Sequence, residues 1–407
     1  MFQSFILDMA PVFLSQNRIT STSKKVLVIS PVPSHPQNAG NRTRIYNLLM
    51  NLKNLGHEVH FLYIQQEIAD EDLMCQTWGE NFYSLPYTDC WQRKRSLFAR
   101  IIRKLRCFLT NYPKFPGAVD DWYDNSINQF LVELQTKIKP DIVIVEYVFF
   151  SKALKYFSDD VLKIIDTHDI FNDRVNLYKN NGQQYYWYST TLQEEIKGLC
   201  RADLVIAVQK EEEEYFKKLV GNKVITIGHT VPLRRPKQIA QPRRKILYVA
   251  SRNEINIHSF GYFIKEVLPK VRAKLPDVQL AIAGNICEVI EDTDGCVKLG
   301  YIDNINEVYD TADIVINPIL FGTGLKIKTI EALGQSKVLI TTPEGAKGLE
   351  QGANQAFIVA KNLDEFAQSI IQVMMNPILS RNLSENAYVF AKDYNQKVIE
   401  LLGNRLN

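Results

Sequence analysis

The sequence predicts an α/β protein built from two Rossmann-like, doubly wound parallel-sheet domains that face each other across a cleft. Three observations support this prediction. The chain has 407 residues, more than one hydrophobic core normally holds. Short apolar runs alternate with helical periodicity along most of it, which indicates buried parallel strands covered by helices. Residues 231–244 interrupt this alternation with prolines and charges, as an interdomain linker would.

Residues 24–230 are predicted to form the N-terminal domain, after an irregular leader at residues 1–23. The leader has no basic region ahead of its apolar part, so we do not expect a signal peptide. The first helix, about 41–55, follows a loop rich in proline, asparagine and glycine and ends at Gly56. The expected strands are apolar runs at 25–30, 58–64, 141–146, 162–168, 203–209 and 223–228.

Residues 245–390 are predicted to form the C-terminal domain. A final helix is expected at 391–407, and a crossing back to the N-terminal domain is one arrangement open to it. Strands are expected at 245–250, 278–284, 313–318 and 338–342, and helices at about 258–274 and 325–333. Ligands of open parallel sheets bind outside the carboxyl ends of the strands, so the interdomain cleft is the expected site.

Composition excludes several classes of function. Hydrophobic residues make up 46% of the chain and charged residues 23%, as in a folded globular protein. A net charge of +3 does not indicate nucleic-acid binding. The six cysteines form no Cys-x-x-Cys pair, which favours reduced thiols in a cytoplasmic protein over a zinc site or disulfides. No apolar run is long enough to cross a bilayer.

A glycine-rich turn before a short helix gives the strongest functional signal. Gly322 and Gly324 allow tight turning and a close approach of the backbone to a ligand. The helix that follows directs its free N–H groups at that turn, and Lys326 and Lys328 add positive charge, so the segment suits an anion. Glu331, further along the helix, can accept hydrogen bonds from two neighbouring hydroxyls. Together these features describe a nucleoside diphosphate with its ribose.

This segment resembles the donor-site signature of the family 4, or group 1, retaining glycosyltransferases of the GT-B fold. Those enzymes carry two glutamates separated by seven residues; Glu331 matches the second, whereas Thr323 stands at the position of the first. The resemblance covers nearly the whole chain after Lys24 and is strongest at 245–350. It implies transfer of a sugar, of hexosyl type, from a nucleoside diphosphate sugar to a glycan, lipid-linked or small-molecule acceptor.

The resemblance also implies roles for individual residues. It implies that His168, at the carboxyl end of an apolar strand, contacts the donor sugar, and that Arg252 or His258 contacts the diphosphate. The catalytic candidates are His168, Arg252 and Lys326. The donor-binding candidates are Gly40, Tyr301, Ile302, Thr323, Gly324, Leu325, Glu331 and His258. The acceptor-side candidates are Asn41, Arg44, Glu146, Asp169 and Arg174.

No cofactor or metal is expected. In the family, the departing diphosphate itself takes the proton of the acceptor, and Arg252, Lys326 and helix amides can stabilise its charge. Asp292–Asp294 is the nearest match to the Asp-x-Asp motif of the metal-dependent transferases, but its setting before Gly295 is typical of a turn. Two rival functions remain open: a sugar-nucleotide epimerase on the same fold, and a catalytically silent partner protein, which the Thr323 substitution motivates.

Residues 92–110 predict a basic amphipathic helix. Arginines and lysines alternate there with apolar residues at helical spacing, and no acidic residue interrupts them. Such a helix can lie on an anionic membrane surface, which would place the protein peripherally on the inner face of the membrane. An amphipathic helix packed on its own domain fits the same pattern.

Overall fold

The computed structural model describes residues 23–88, 101, 105, 117–183, 187–236, 243–302 and 305–406. The predicted leader, except Ser23, and the basic segment 92–110, except Ile101 and Leu105, therefore lie outside the described residues. So do residues 237–242 of the predicted linker. Within the described ranges, the model contains no helix that combines the length and the apolar character required to cross a membrane.

The N-terminal domain is a parallel sheet of seven described strands. Along the chain these are β1 Lys25–Ser30, β2 Glu58–Gln65, β3 Phe82–Pro86, β4 Ile142–Glu146, β5 Leu162–Asp166, β6 Leu204–Ala207 and β7 Val224–Thr226. Their order in the sheet is β3-β2-β1-β4-β5-β6-β7. The direction of winding reverses between β1 and β4, which opens a crevice outside their carboxyl ends.

Helices cover both faces of this sheet. They are α1 Gly40–Asn54, α2 Glu71–Trp78, α3 Asn128–Ile138, α4 Arg174–Asn180, α5 Leu192–Leu199 and α6 Lys210–Val220. The central strands β1 and β4 are almost wholly buried, as their continuous apolar character predicts. Of these helices only α1 was predicted from the sequence, and β3 was not predicted.

The C-terminal domain repeats this architecture with six described strands. They are β8 Lys245–Val249, β9 Gln279–Ala283, β10 Cys296–Gly300, β11 Ile314–Asn317, β12 Val338–Thr341 and β13 Ile358–Val359, in the order β10-β9-β8-β11-β12-β13. Here the winding reverses between β8 and β11. The described helices are α7 Glu254–Tyr262, α8 Leu268–Lys274, α9 Ile305–Thr311, α10 Ile327–Gly334, α11 Pro343–Ala346, α12 Leu363–Met375 and α13 Pro377–Leu406.

Helix α13 belongs to both domains. Ala387 and Ala391 pack in the core beneath the C-terminal sheet, whereas Val398, Leu402 and Leu406 pack in the core of the N-terminal domain. The predicted boundary at residue 391 falls inside this continuous helix rather than at its start. The helix therefore ties the two domains together beside the chain crossing at 231–236, where Asn395 hydrogen-bonds to the backbone of Val231.

Two sheets with helices on both faces, paired in tandem, make up the GT-B architecture. A small apolar cluster contributed by both domains closes one side of the space between them. It joins Val175 and Tyr178 of α4 to Ile255 of α7 and to Ile319 and Phe321 after β11. This contact fixes the rim of the cleft in which the carboxyl ends of the two sheets face each other.

Candidate active site

A cavity of about 740 Å³ lies between the domains, at the crevices where both sheets reverse their winding. The N-terminal domain contributes the start of α1, the end of β4 and the segment after β5. The C-terminal domain contributes the segments after β8 and β11 and the start of α10. Among the predicted site residues, the cavity is lined by Gly40, Asn41, Arg44, His168, Asp169, Arg174, Arg252, Thr323, Gly324, Leu325 and Lys326.

Two helix N-termini meet in this cavity. α1 and α10 have no side-chain cap, and neither has an acidic residue in its first turn. A Cβ atom built on Gly40 would lie 3.1 Å from Ile327 Cδ1, so glycine permits α1 to approach α10 this closely. The N-terminal ends of both helix dipoles then contribute partial positive charge to one space, which favours an anion there.

The turn before α10 is shaped by its two glycines. Gly322 and Gly324 have φ values of 143° and 74°, in the region that side chains disfavour. A Cβ atom on Gly324 would lie 3.3 Å from the carbonyl oxygen of His168 in the other domain. The turn therefore reaches across the cleft and contacts the predicted sugar-binding residue.

The buried side chain of Lys326 stabilises this turn by bonding to its carbonyl oxygens. Its ammonium group donates hydrogen bonds to the carbonyl oxygens of Gly324 (2.8 Å) and Thr323 (3.1 Å) and lies 3.4 Å from Glu344. Burial lowers the pKa of Lys326, while Glu344 and Asp169 oppose that shift. The side chain is 7% exposed, so its three donors hold the loop in shape rather than point into open space. The sequence did not predict this supporting role.

His168 lies at the centre of a buried polar cluster. Its Nε2 atom hydrogen-bonds to Glu146, whose side chain is fully buried, and its ring stacks on Tyr147 at a centroid distance of 4.2 Å. Asn41 donates a hydrogen bond to the Tyr147 hydroxyl at 3.0 Å. These contacts fix the orientation of the imidazole ring at the cavity wall. Glu146 thus lies behind His168 and not among the lining residues.

Arg44 completes this cluster with a buried ion pair. Its guanidinium donates to both oxygens of Asp166, at 2.9 and 2.8 Å, and to the carbonyl oxygens of Ile227 and Gly228. The side chains of Arg44 and Asp166 are 6% and 0% exposed. Arg44 was predicted to face the acceptor, but the structure engages its guanidinium with the protein itself.

Within the described parts of the chain, Glu146, Asp166 and His168 place their ligand atoms within 4.8 Å of one another, the spacing of a metal site. Arg44 already occupies both oxygens of Asp166. Glu146 is engaged by His168, and burial together with Asp166 raises the pKa of the Glu146 carboxyl. The cluster thus has an internal cation that balances its carboxylates.

Two arginines that line the cavity, Arg174 and Arg252, differ in how exposed their side chains are. Arg174 pairs with Asp169 beside His168, and both side chains are nearly buried. Arg252 follows β8; its side chain is 58% exposed and lies 3.4 Å from Glu288, which is equally exposed. An exposed pair of this kind contributes little free energy, so the Arg252 guanidinium can turn to a ligand. A phosphate is the anion whose geometry matches the planar fork of arginine.

Four predicted donor-binding residues do not line the cavity. His258 hydrogen-bonds to Gln183 at 3.1 Å and contacts the Phe321 ring edge to face, so it belongs to the interdomain contact. Tyr301 is half exposed and Ile302 packs against the C-terminal core. Glu331 lies one turn behind the cavity, where Lys328 donates to it at 2.8 Å. Lys328 itself lines the cavity.

Sequence reasoning missed several lining residues, including Tyr147, Trp187 and His229. Tyr147 and His229 each lie just beyond the carboxyl end of a parallel strand, as His168 does. The rule that selected His168 would have found both. Trp187 gives no such signal, because an irregular segment carries it into the cleft.

With this geometry established, the chain can be compared with known proteins. Residues 243–376 match the family model described as Glycosyl transferases group 1. A Klebsiella pneumoniae protein described as an uncharacterized 44.6 kDa protein in cps region is 23% identical over 406 residues, covering 92% of this chain and 97% of that protein.

Solved structures share the fold over nearly the whole chain. TarM gives a TM-score of 0.68 at 12% identity and covers 95% of this chain and 99% of its own. The pneumococcal O-GlcNAc transferase GtfA in complex with UDP and GlcNAc gives 0.63 at 11% identity, covering 94% and 98%. HepE of Anabaena in complex with UDP and glucose gives 0.61 at 12%, covering 94% and 100%. These structures show that the chain has the GT-B fold, and residues 243–376 are similar to the group 1 glycosyltransferases.

Proposed function

We propose that this protein is a retaining glycosyltransferase that moves a hexosyl group from a nucleoside diphosphate sugar to a glycan, lipid-linked or small-molecule acceptor, without a metal. One observation carries the proposal. The cleft brings two helix N-termini without side-chain caps and the exposed guanidinium of Arg252 to the same cavity as His168. Anion-binding groups thereby lie next to a hydrogen-bonding group for a sugar.

The geometry suits loss of a diphosphate leaving group. The bond from the anomeric carbon to the phosphate oxygen breaks, and negative charge grows on that oxygen. In this proposal the positive end of the α10 dipole and Arg252 stabilise this charge, because both lie at the cavity before the bond breaks. The acceptor hydroxyl attacks the same face of the sugar and passes its proton to the departing diphosphate. No side-chain base takes part in this scheme.

The relatives support the choice of donor. GtfA was solved with UDP and GlcNAc, and HepE with UDP and glucose. Both complexes pair UDP with a hexose or an N-acetylhexosamine, so UDP-hexoses and UDP-N-acetylhexosamines are the first donors to test. The proposed location is the cytoplasm, with contact to an anionic membrane through residues 92–110. Liposome sedimentation that rises with anionic lipid and falls with salt would support that contact.

A binding experiment tests the diphosphate site. UDP, GDP, ADP and TDP are screened by thermal shift, because a ligand at a hundred times its Kd stabilises the folded state by about 2.7 kcal/mol. Arg252→Ala should then weaken the best nucleotide about tenfold, since a charge-assisted hydrogen bond is lost. Arg244→Ala is the matched control: Arg244 is also exposed and paired, with Asp277, but it precedes β8 at the opposite end of the sheet.

The rival functions are separated by product analysis. Incubation with nucleotide sugars should release nucleoside diphosphate, slowly by hydrolysis alone and faster with acceptor. Isomerised nucleotide sugar would instead show an epimerase. A protein that binds nucleotide sugar without consuming it would instead be the catalytically silent partner protein.

A further inference from the structure

His229 is a buried, neutral polar side chain facing the cleft without a partner. It follows β7, it lines the cavity, and it is 1% exposed. Neither of its ring nitrogens has a hydrogen-bond partner. Its backbone N–H donates to the Tyr394 hydroxyl of α13 at 3.3 Å, so the position of the residue is fixed. A buried imidazole with both nitrogens unsatisfied is costly unless a ligand satisfies it.

The surroundings of His229 indicate which ligand atom fits. The charged groups that act on it are cationic: Arg44 from α1 and Lys328 from α10. Burial first, and then these cations, lower the pKa of His229 to about 3, so the ring is neutral at physiological pH. A neutral imidazole keeps one N–H donor while adding no further charge to a cationic wall.

A neutral donor among cations suits an anionic oxygen. Lys328 lies in the first turn of α10, the helix whose N-terminus opens into the cavity. A phosphate bound at that N-terminus would be attracted by the cations around His229. One oxygen of this phosphate could then face the His229 ring. A sugar hydroxyl would satisfy the nitrogens too, but it would gain nothing from the surrounding positive charge.

We propose that the ring of His229 donates a hydrogen bond to a phosphate oxygen of the donor's diphosphate. His229 is therefore a substrate-contacting residue on the N-terminal side of the cleft. This inference rests on the proposed function. It adds the second wall of the diphosphate site, opposite Arg252 and the turn before α10. The diphosphate would then be bound by both domains at once and would stabilise the closed cleft.

Calorimetry on three variants tests the inference, with UDP as the probe and GDP, ADP and TDP in parallel. His229→Leu should weaken the nucleoside diphosphate that binds the wild type by about tenfold to a hundredfold, while the matching nucleoside keeps its affinity. His229→Gln retains an N–H donor and should recover most of the lost affinity. His57→Leu is the control. His57 is also buried with an unpartnered ring nitrogen, but it precedes β2 and so lies at the amino ends of the strands, away from the cleft.

The wild-type protein supplies a second readout that does not depend on the folding of a variant. Nitrogen NMR of its six histidine rings should show one resonance that moves when the nucleoside diphosphate is added and that is missing in His229→Gln. Equal nucleoside diphosphate affinity in wild type and His229→Leu, or an unmoved His229 resonance at saturation, would overturn the inference and leave the proposed function standing. A wild type that binds none of the four nucleotides would overturn both.

Discussion

The buried pair of Arg44 and Asp166 offers a quantitative test of how the cleft is built. Arg44→Met removes both side-chain donors from Asp166, which is 0% exposed. It also removes the donors that satisfy the carbonyl oxygens of Ile227 and Gly228. Breaking a buried pair by removing one partner costs about 3–5 kcal/mol, because the remaining charge is uncompensated.

Replacing both partners should cost far less. Arg44→Met combined with Asp166→Leu leaves no unpaired charge, and an apolar replacement of a buried pair is often close to neutral. The two changes should therefore couple by at least about 2 kcal/mol in a double-mutant cycle. Arg42→Met is the matched control on the same helix, since its partner Glu67 is 35% exposed. Loss of this partly buried pair should cost less than loss of the Arg44 pair, because water can still reach Glu67.

Urea unfolding followed by tryptophan fluorescence measures these effects. All four tryptophans, at positions 78, 91, 122 and 187, lie in the N-terminal half of the chain, so the signal reports the domain that holds the pair. Equal losses for Arg44→Met and Arg42→Met would refute the assignment of Arg44 to a buried structural pair. In that case the predicted contact of Arg44 with the acceptor would again be the better interpretation.

Three further predictions follow from the same contacts. Gly324→Val should weaken nucleotide binding more than Gly79→Val does. Both positions have positive φ, but only Gly324 contacts the opposite domain. Equal losses of nucleotide affinity by calorimetry would show that backbone strain alone is responsible. Burial, and then Asp169, raises the pKa of Glu212 to about 8, so the folded protein holds a proton that the unfolded chain releases above pH 4.5. The free energy of unfolding should therefore fall as pH rises from 4.5 to 8. The urea midpoint of Glu212→Gln should fall less over this range than that of the wild type, and parallel pH dependences of the two midpoints would contradict this. Transfer should persist in EDTA, and loss that Mg²⁺ restores would disprove the metal-free scheme.

The sequence predicted the two-domain fold because its determinants are local. Continuous apolar runs such as 141–146 form buried strands wherever they occur, and Gly56 ends α1 as predicted. The edge strand β3 was missed because its residues are only partly buried and its apolar pattern is weak. α10 begins at Ile327, two residues later than predicted, since the turn bonded to Lys326 delays its first helical residue.

The site was predictable in position but not in its internal pairing. His168 could be placed at the cleft because a strand end defines its location. The partner of Arg44 lies 122 residues away, and nothing near Arg44 in sequence indicates it. Likewise, the ring of His258 is directed by Phe321 and Gln183, which only the packing of the two domains brings together. Roles that depend on such distant contacts require the folded structure.

The anomeric configuration of the first product tests the proposed reaction most directly. Proton NMR follows the protein with a UDP-hexose of defined anomeric configuration, alone and with a simple glycan acceptor. We expect nucleoside diphosphate release and a product that first appears with the anomeric configuration of the donor. A product of inverted configuration would contradict retention, and an isomerised or unconsumed nucleotide sugar would contradict glycosyl transfer itself.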